Sequence, residues 1–124
     1  MKTILLVDDE YALVESLTEL LQDEGYRVVS AANGEDGLEK LRKEKADLVV
    51  SDIMMPIGGG SEFVRRLRAL PEFRLTPVVI TSAASKESLD GSTLQVSAFL
   101  IKPFYFEKLL AIIVRLIGSG EQNG

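Results

Sequence analysis

The sequence contains no cysteine and no histidine. The first absence removes any disulfide framework and any thiolate metal site. The second leaves metal binding to oxygen ligands, which favours magnesium, calcium or manganese over zinc. Long apolar runs are missing too. None approaches the ~18 residues of a membrane-spanning helix, so no span is expected. Positive charge is in deficit: 14 Lys and Arg against 19 Asp and Glu give a formal net charge of −5. A non-specific nucleic-acid binder needs a basic face, so no direct contact with nucleic acid is expected. Met1-Lys2-Thr3 leads straight into an apolar run. That leaves no room for a signal peptide and makes a cytoplasmic location the expectation.

Apolar residues, by contrast, are plentiful, at 46% of 124 residues. This suits one compact domain with a real core and is too short for two. They gather in five short runs, and four of those end in polar residues that look like one reaction centre. Ile4 to Val7 runs into Asp8 and Asp9, Leu48 to Ser51 into Asp52, Val78 to Thr81 into Ser82, and Phe99 to Ile101 into Lys102. The remaining run, Val28-Val29, ends in Ser30 and carries no candidate. Short continuous apolar runs read as strands covered on both faces, the habit of parallel sheets. In open parallel sheets the ligand sits beyond the carboxyl ends of the strands. Three carboxylates, a hydroxyl and an ammonium are thereby expected in one small region.

Helical spacing fills the intervals. Leu13, Val14, Leu17, Leu20 and Leu21 form a stripe over 11–24, and Gly25 stops that helix. Asn33 can cap a second helix from Gly34 to about Lys43, with Leu38 and Leu41 facing in. Met55-Pro56 turns the chain, Gly58-Gly59-Gly60 follows as a loop, and 61–70 reads as a third helix with Phe63, Val64, Leu67 and Leu70 inward. A fourth, over 85–94, is weak because Gly91, Ser92 and Thr93 disfavour it. The fifth spans 105–117. Five β-α repeats with right-handed crossovers imply a three-layer sandwich. The polar, Gly-rich 119–124 reads as a loose tail or linker stub after a domain of residues 1–118.

Each candidate has an ordinary reading of its own. Asp8 and Asp9 could cap a helix, Asp52 could be a turn aspartate, and Ser82 and Lys102 could be strand-end and loop residues. Together they are far more specific. Adjacent carboxylates repel, and a cation would stabilise them. A carboxylate ending the central strand can ligate a metal or attack phosphorus to give an acyl phosphate. Magnesium would neutralise the negative charge and bridge phosphoryl oxygens. The ammonium and the hydroxyl can then bind further phosphoryl oxygens. A cis Lys102-Pro103 bond would aim the lysine inward. Glu10 is a further potential ligand, but it is expected to begin the first helix.

These pieces carry a resemblance. Ile4-Leu5-Leu6-Val7-Asp8-Asp9-Glu10, Asp52-Ile53-Met54-Met55-Pro56, Pro77-Val78-Val79-Ile80-Thr81-Ser82-Ala83 and Phe99-Leu100-Ile101-Lys102-Pro103-Phe104 stand in order and at the right spacing. Over residues 2–118 the chain resembles the receiver domain of two-component response regulators, the superfamily of the chemotaxis regulator CheY. The resemblance implies a doubly wound, flavodoxin-like α/β fold with a parallel five-stranded sheet of order 2-1-3-4-5. It implies that Asp52 is the phosphoacceptor. Asp9, Asp52 and the Met54 backbone carbonyl would bind Mg2+ directly, and Asp8 largely through water. Lys102 would hold a phosphoryl oxygen. Ser82 would be the switch hydroxyl and Phe99 the aromatic that moves inward on activation. The phosphoryl donor would be a histidine of a sensor histidine kinase or phosphotransfer protein. The output partner would read the face of the fourth helix, fifth strand and fifth helix.

Three departures from the family pattern stand out. Gly58 and Gly59 replace a hydrophobic-acidic pair before the matching Gly60, which loosens that loop. As a phosphate cradle the triplet is a weak signal, because it lacks the lysine of a P-loop. Gln95 stands where the family usually has glycine. Met54 and Ala84, two residues beyond the acceptor and the switch, cannot orient a water, so slow self-dephosphorylation is expected. The fifth helix is unusually apolar: Phe106, Leu109, Leu110, Ile113 and Ile117 fit a core stripe, and Tyr105, Ile112 and Leu116 widen it. A wide buried face is favoured over a patch for a homodimer or partner. Two rivals to the phosphorylated switch are a non-phosphorylated interaction module of the same fold and an aspartate-nucleophile phosphatase. The phosphatase would want a second acid where Met54 stands.

Overall fold

A computed structural model describes residues 1–55, 59–83 and 95–120. The fourth helix expected over 85–94, with Ala84 and Gly91, lies outside the described residues, as do Pro56 and Gly58. The five apolar runs form five strands: β1 (Thr3–Val7), β2 (Arg27–Ala31), β3 (Leu48–Asp52), β4 (Val78–Ser82) and β5 (Ala98–Ile101). All adjacent pairs are parallel, in the order β2-β1-β3-β4-β5. The helices are α1 (Tyr11–Asp23), α2 (Gly34–Glu44), α3 (Gly60–Ala69) and α4 (Phe106–Ile117), the last being the fifth of the sequence reading.

Successive strand residues point to opposite faces, and two cores result. On one face Leu5, Val7, Val49, Val78 and Ile80 pack with Leu38 and Leu41 of α2 and Phe63, Val64 and Leu67 of α3. On the other, Ile4, Leu6, Leu48, Val50, Val79 and Leu100 pack with Leu17 and Leu21 of α1 and Leu109 and Ile113 of α4. Burial on both faces is why these strands lack polar alternation.

The expected local signals hold at the start of α2 and the end of α1. The Asn33 side chain accepts a hydrogen bond from the Asp36 amide at 2.9 Å and caps α2. After α1, Gly25 takes φ 94°. Leu20 departs from its expected inward place, being 41% exposed, because its position falls at the edge of the α1 stripe that Leu17 and Leu21 bury. On α4, Ile112 and Leu116 are half-buried against the second core, in line with a wide buried face, whereas Tyr105 stands in solvent.

Contacts with the rest of the chain continue past Ile117. The Tyr26 hydroxyl donates to the Gly118 carbonyl at 2.6 Å, and the Lys2 ammonium donates to the Ile117 carbonyl. Gly120, read from sequence as part of a loose tail, is buried. A Cβ there would lie 2.7 Å from the Glu24 carbonyl oxygen, so only glycine fits against the α1–β2 turn. Its packing is invisible to composition because the contact lies nearly a hundred residues away in sequence.

Candidate functional site

Parallel strands bring their carboxyl ends to one rim, and there β1, β3, β4 and β5 deliver their terminal polar groups. Asp52 closes β3, with its side chain 8% exposed. Its carboxylate accepts a hydrogen bond from the Met54 amide at 3.3 Å. Asp8 follows β1, its amide donating to the Ala31 carbonyl at 3.0 Å. One Asp8 oxygen accepts from the Glu10 amide at 2.9 Å, which turns the chain into α1. Asp9 is exposed. One carboxylate oxygen from each of Asp8, Asp9 and Asp52 lies within 4.8 Å of the others.

Lys102 reaches in from the opposite side. Its amide donates to the Ser82 carbonyl at 2.7 Å, and the Lys102-Pro103 peptide is cis. The ammonium sits 2.9 Å from Asp8, 3.6 Å from Glu10 and 3.7 Å from Asp52. Glu10 starts α1 as expected, yet its carboxylate also joins the lysine. Its place in the Asp8-Asp9-Glu10 run was the signal.

The electrostatics follow from burial and crowding. Burial pushes the Asp52 carboxyl up, and the Asp8 charge pushes it further. Lys102 and the Met54 amide act against that, Asp9 adds to it, and the net result is a raised pKa. For Lys102, burial alone would lower the pKa. The hydrogen bond and charge of Asp8, with the charges of Asp52 and Glu10, outweigh burial and raise it. One ammonium therefore faces several carboxylates. The surplus of hard oxygen donors, with no thiolate or imidazole in the chain, fits Mg2+ or a similar hard cation.

Ser82 is fully buried at the end of β4. Phe99 lies elsewhere. It is half-buried against the α2–α3 side of the sheet, opposite Ile80 and three residues before Lys102. Gly60 is the local device that presses α3 against the end of β3. A Cβ there would come within 2.5 Å of the Asp52 carbonyl oxygen, and the Gly60 amide donates to the Ile53 carbonyl at 3.0 Å.

The family model described as the response regulator receiver domain matches residues 4–114. The chain belongs to the response regulator receiver family. This receiver domain is similar to the chemotaxis response regulator CheY4 of Vibrio cholerae, with a TM-score of 0.88 and 32% identity over 94% of this chain and 99% of that one. It is also similar to the response regulator TrrA of Thermotoga maritima, solved in complex with Mg2+-BeF. There the TM-score is 0.83 and the identity 34%, over 94% of this chain and 100% of that one. Among curated sequences, the probable transcriptional regulator ycf29 of Porphyra purpurea is 34% identical over 122 residues, 97% of this chain and 58% of that protein. The chain spans about half the length of most of the curated relatives it matches. Receiver domains are signalling domains of two-component systems, phosphorylated on aspartate, and not classical enzymes. The non-phosphorylated module is accordingly not favoured. No helix among the described residues is long and apolar enough to cross a membrane.

Proposed function

We propose that Asp52 is the phosphoacceptor of this receiver and that Asp8, Asp9, Asp52 and the Met54 carbonyl hold Mg2+ beside it. The observation that carries this reading is the convergence of three carboxylate oxygens within 4.8 Å of one another, with the Lys102 ammonium 3.7 Å from Asp52. When bound, Mg2+ would neutralise the carboxylates and offset the charge of the incoming phosphoryl group. An Asp52 oxygen attacks phosphorus as the bond to the donor imidazole nitrogen breaks. The electron pair stays on that nitrogen, which later takes up a proton. Lys102 exchanges part of its pairing with Asp8 for a phosphoryl oxygen, and the Ser82 hydroxyl donates to another.

The modification adds roughly −1.5 to −2 charges at the rim. Ser82 is drawn toward them and Phe99 fills the space released, so a local charge event biases a two-state surface. The donor is a sensor histidine kinase or a His phosphotransfer protein. The output partner, or a second copy of the chain, reads the face that includes β5 and α4, where Ile101 and Tyr105 are exposed. A cytoplasmic setting belongs to the same proposal. Incubation with acetyl phosphate and Mg2+, followed by intact-mass spectrometry, tests the reading. One phosphoryl group is expected, absent without Mg2+ and absent in Asp52→Asn. Unchanged mass, or phosphorylation that survives Asp52→Asn, overturns it.

A further inference from the structure

Arg68, on the last turn of α3, hydrogen-bonds to four backbone carbonyls from two separate connections. Its Nη1 donates to the carbonyls of Phe73, Arg74 and Thr76 at 3.0, 3.1 and 2.7 Å. Its Nε and Nη2 both donate to the carbonyl of Gln95, at 3.1 and 2.8 Å. Thr76 stands two residues before β4, and Gln95 three residues before β5. The guanidinium fork is rigid and planar, which lets one side chain fix several acceptors in a single geometry. Burial lowers its pKa, yet an arginine remains charged.

From these contacts a division of labour follows. The carboxylates at the rim come from β1 and β3, whereas Ser82 and Lys102 come from β4 and β5. Arg68 ties together the entrances of the second pair only. Beside it the Ser97 amide donates to the Val78 carbonyl at 2.8 Å, and the Ser97 hydroxyl accepts from the Val78 amide at 3.3 Å, so the two entrances are already in register where the guanidinium holds them. The strands are only 5 and 4 residues long, and the Lys102 amide is bonded to the Ser82 carbonyl at their far end. A shift at the entrance is carried along this short pair to the rim.

We propose that Arg68 is a positioning residue for the phosphoryl-handling half of the site. By clamping Thr76 and Gln95 it sets how β4 and β5 present Ser82 and Lys102, and it leaves the metal-holding half, on β1 and β3, untouched. The inference rests on the reading of Ser82 and Lys102 given above. Gln95 takes part through its backbone carbonyl and not through its side chain.

The test compares Arg68→Ala and Arg68→Lys with the parent chain. Mg2+ affinity is measured by calorimetry, and the acetyl phosphate labelling rate at saturating Mg2+ by intact mass. Mg2+ affinity is expected to stay within about two-fold, the usual limit for sites that do not couple. The labelling rate is expected to fall by ~10- to 100-fold in Arg68→Ala, the scale of a misplaced reacting group. Arg68→Lys, which keeps the charge and reaches fewer carbonyls, is expected to fall between. The exposed neighbour Arg66→Ala should change neither quantity. A parallel loss of metal affinity and labelling, or labelling at the parent rate, overturns the inference. Should Arg68→Ala fail to fold, the same split in Arg68→Lys decides it. Failure of the functional reading looks different, because the parent chain itself would then take no phosphoryl group.

Discussion

At the scale of single residues, charge crowding at the sheet rim governs behaviour. The Asp52 pKa is raised in the folded, metal-free chain above its value in the unfolded chain. The sign is therefore unfavourable: at neutral pH the ionised carboxylate destabilises the fold, and this is relieved as pH falls through the raised folded value. Asp52→Asn is expected to raise the Tm of the metal-free protein by roughly a few degrees and to remove most Mg2+-dependent stabilisation. Thermal melts with and without Mg2+ check both, and a lowered metal-free Tm would contradict the first. For the same reason Mg2+ affinity should decline on acidification at a higher pH than an ordinary aspartate would give. Gly60→Ala forces a methyl against the Asp52 carbonyl oxygen, 2.5 Å away. A loss of ~1–3 kcal/mol in chemical denaturation is expected, together with weaker Mg2+ binding. The Met54 side chain is 64% exposed and has no group that could orient a water. A phosphoryl group on Asp52 should accordingly outlast seconds in a phosphate-release assay.

At the scale of elements, the central strands β1, β3 and β4 were readable because both their faces are buried, which turns each into an apolar run with a polar stop. Asp8, Asp9, Asp52, Ser82 and Lys102 were legible for that reason: each ends or follows such a run. The α2 start was legible from Asn33, and Asn33→Ala is expected to cost about 1 kcal/mol by urea denaturation, with phosphorylation unchanged. What stayed hidden is contact between elements. Arg68 looks like any exposed-face cation of α3, since the carbonyls it binds belong to backbone, and backbone leaves no mark in composition. The α1 stripe admitted Leu20 by spacing, although the neighbouring layer covers less of that helix than its periodicity allows. Phe99 was picked out by resemblance, and its place against Ile80 follows from β5 pairing with β4.

At the scale of the whole molecule, the sheet is polar in function. Reactive groups gather at the carboxyl rim, and closure contacts at the amino rim, where Lys2, Tyr26, Ile117, Gly118 and Gly120 meet. The two ends should be separable by mutation. Tyr26→Phe removes the bond to the Gly118 carbonyl and is expected to lower stability by ~1–2 kcal/mol while Mg2+ affinity and labelling rate stay at parent values. A change in either would mean that the rims communicate. The sequence reading ends the domain at Gly118, because apolar periodicity stops at Ile117 and glycines contribute no hydropathy signal.

The seat of Gly120 has a practical corollary. Anything grafted beyond it, whether a fluorophore, an affinity handle or an anchor to a sensor chip, would depart from the pole remote from the carboxylates. An immobilised version should thus present its reactive rim outward to whatever flows past.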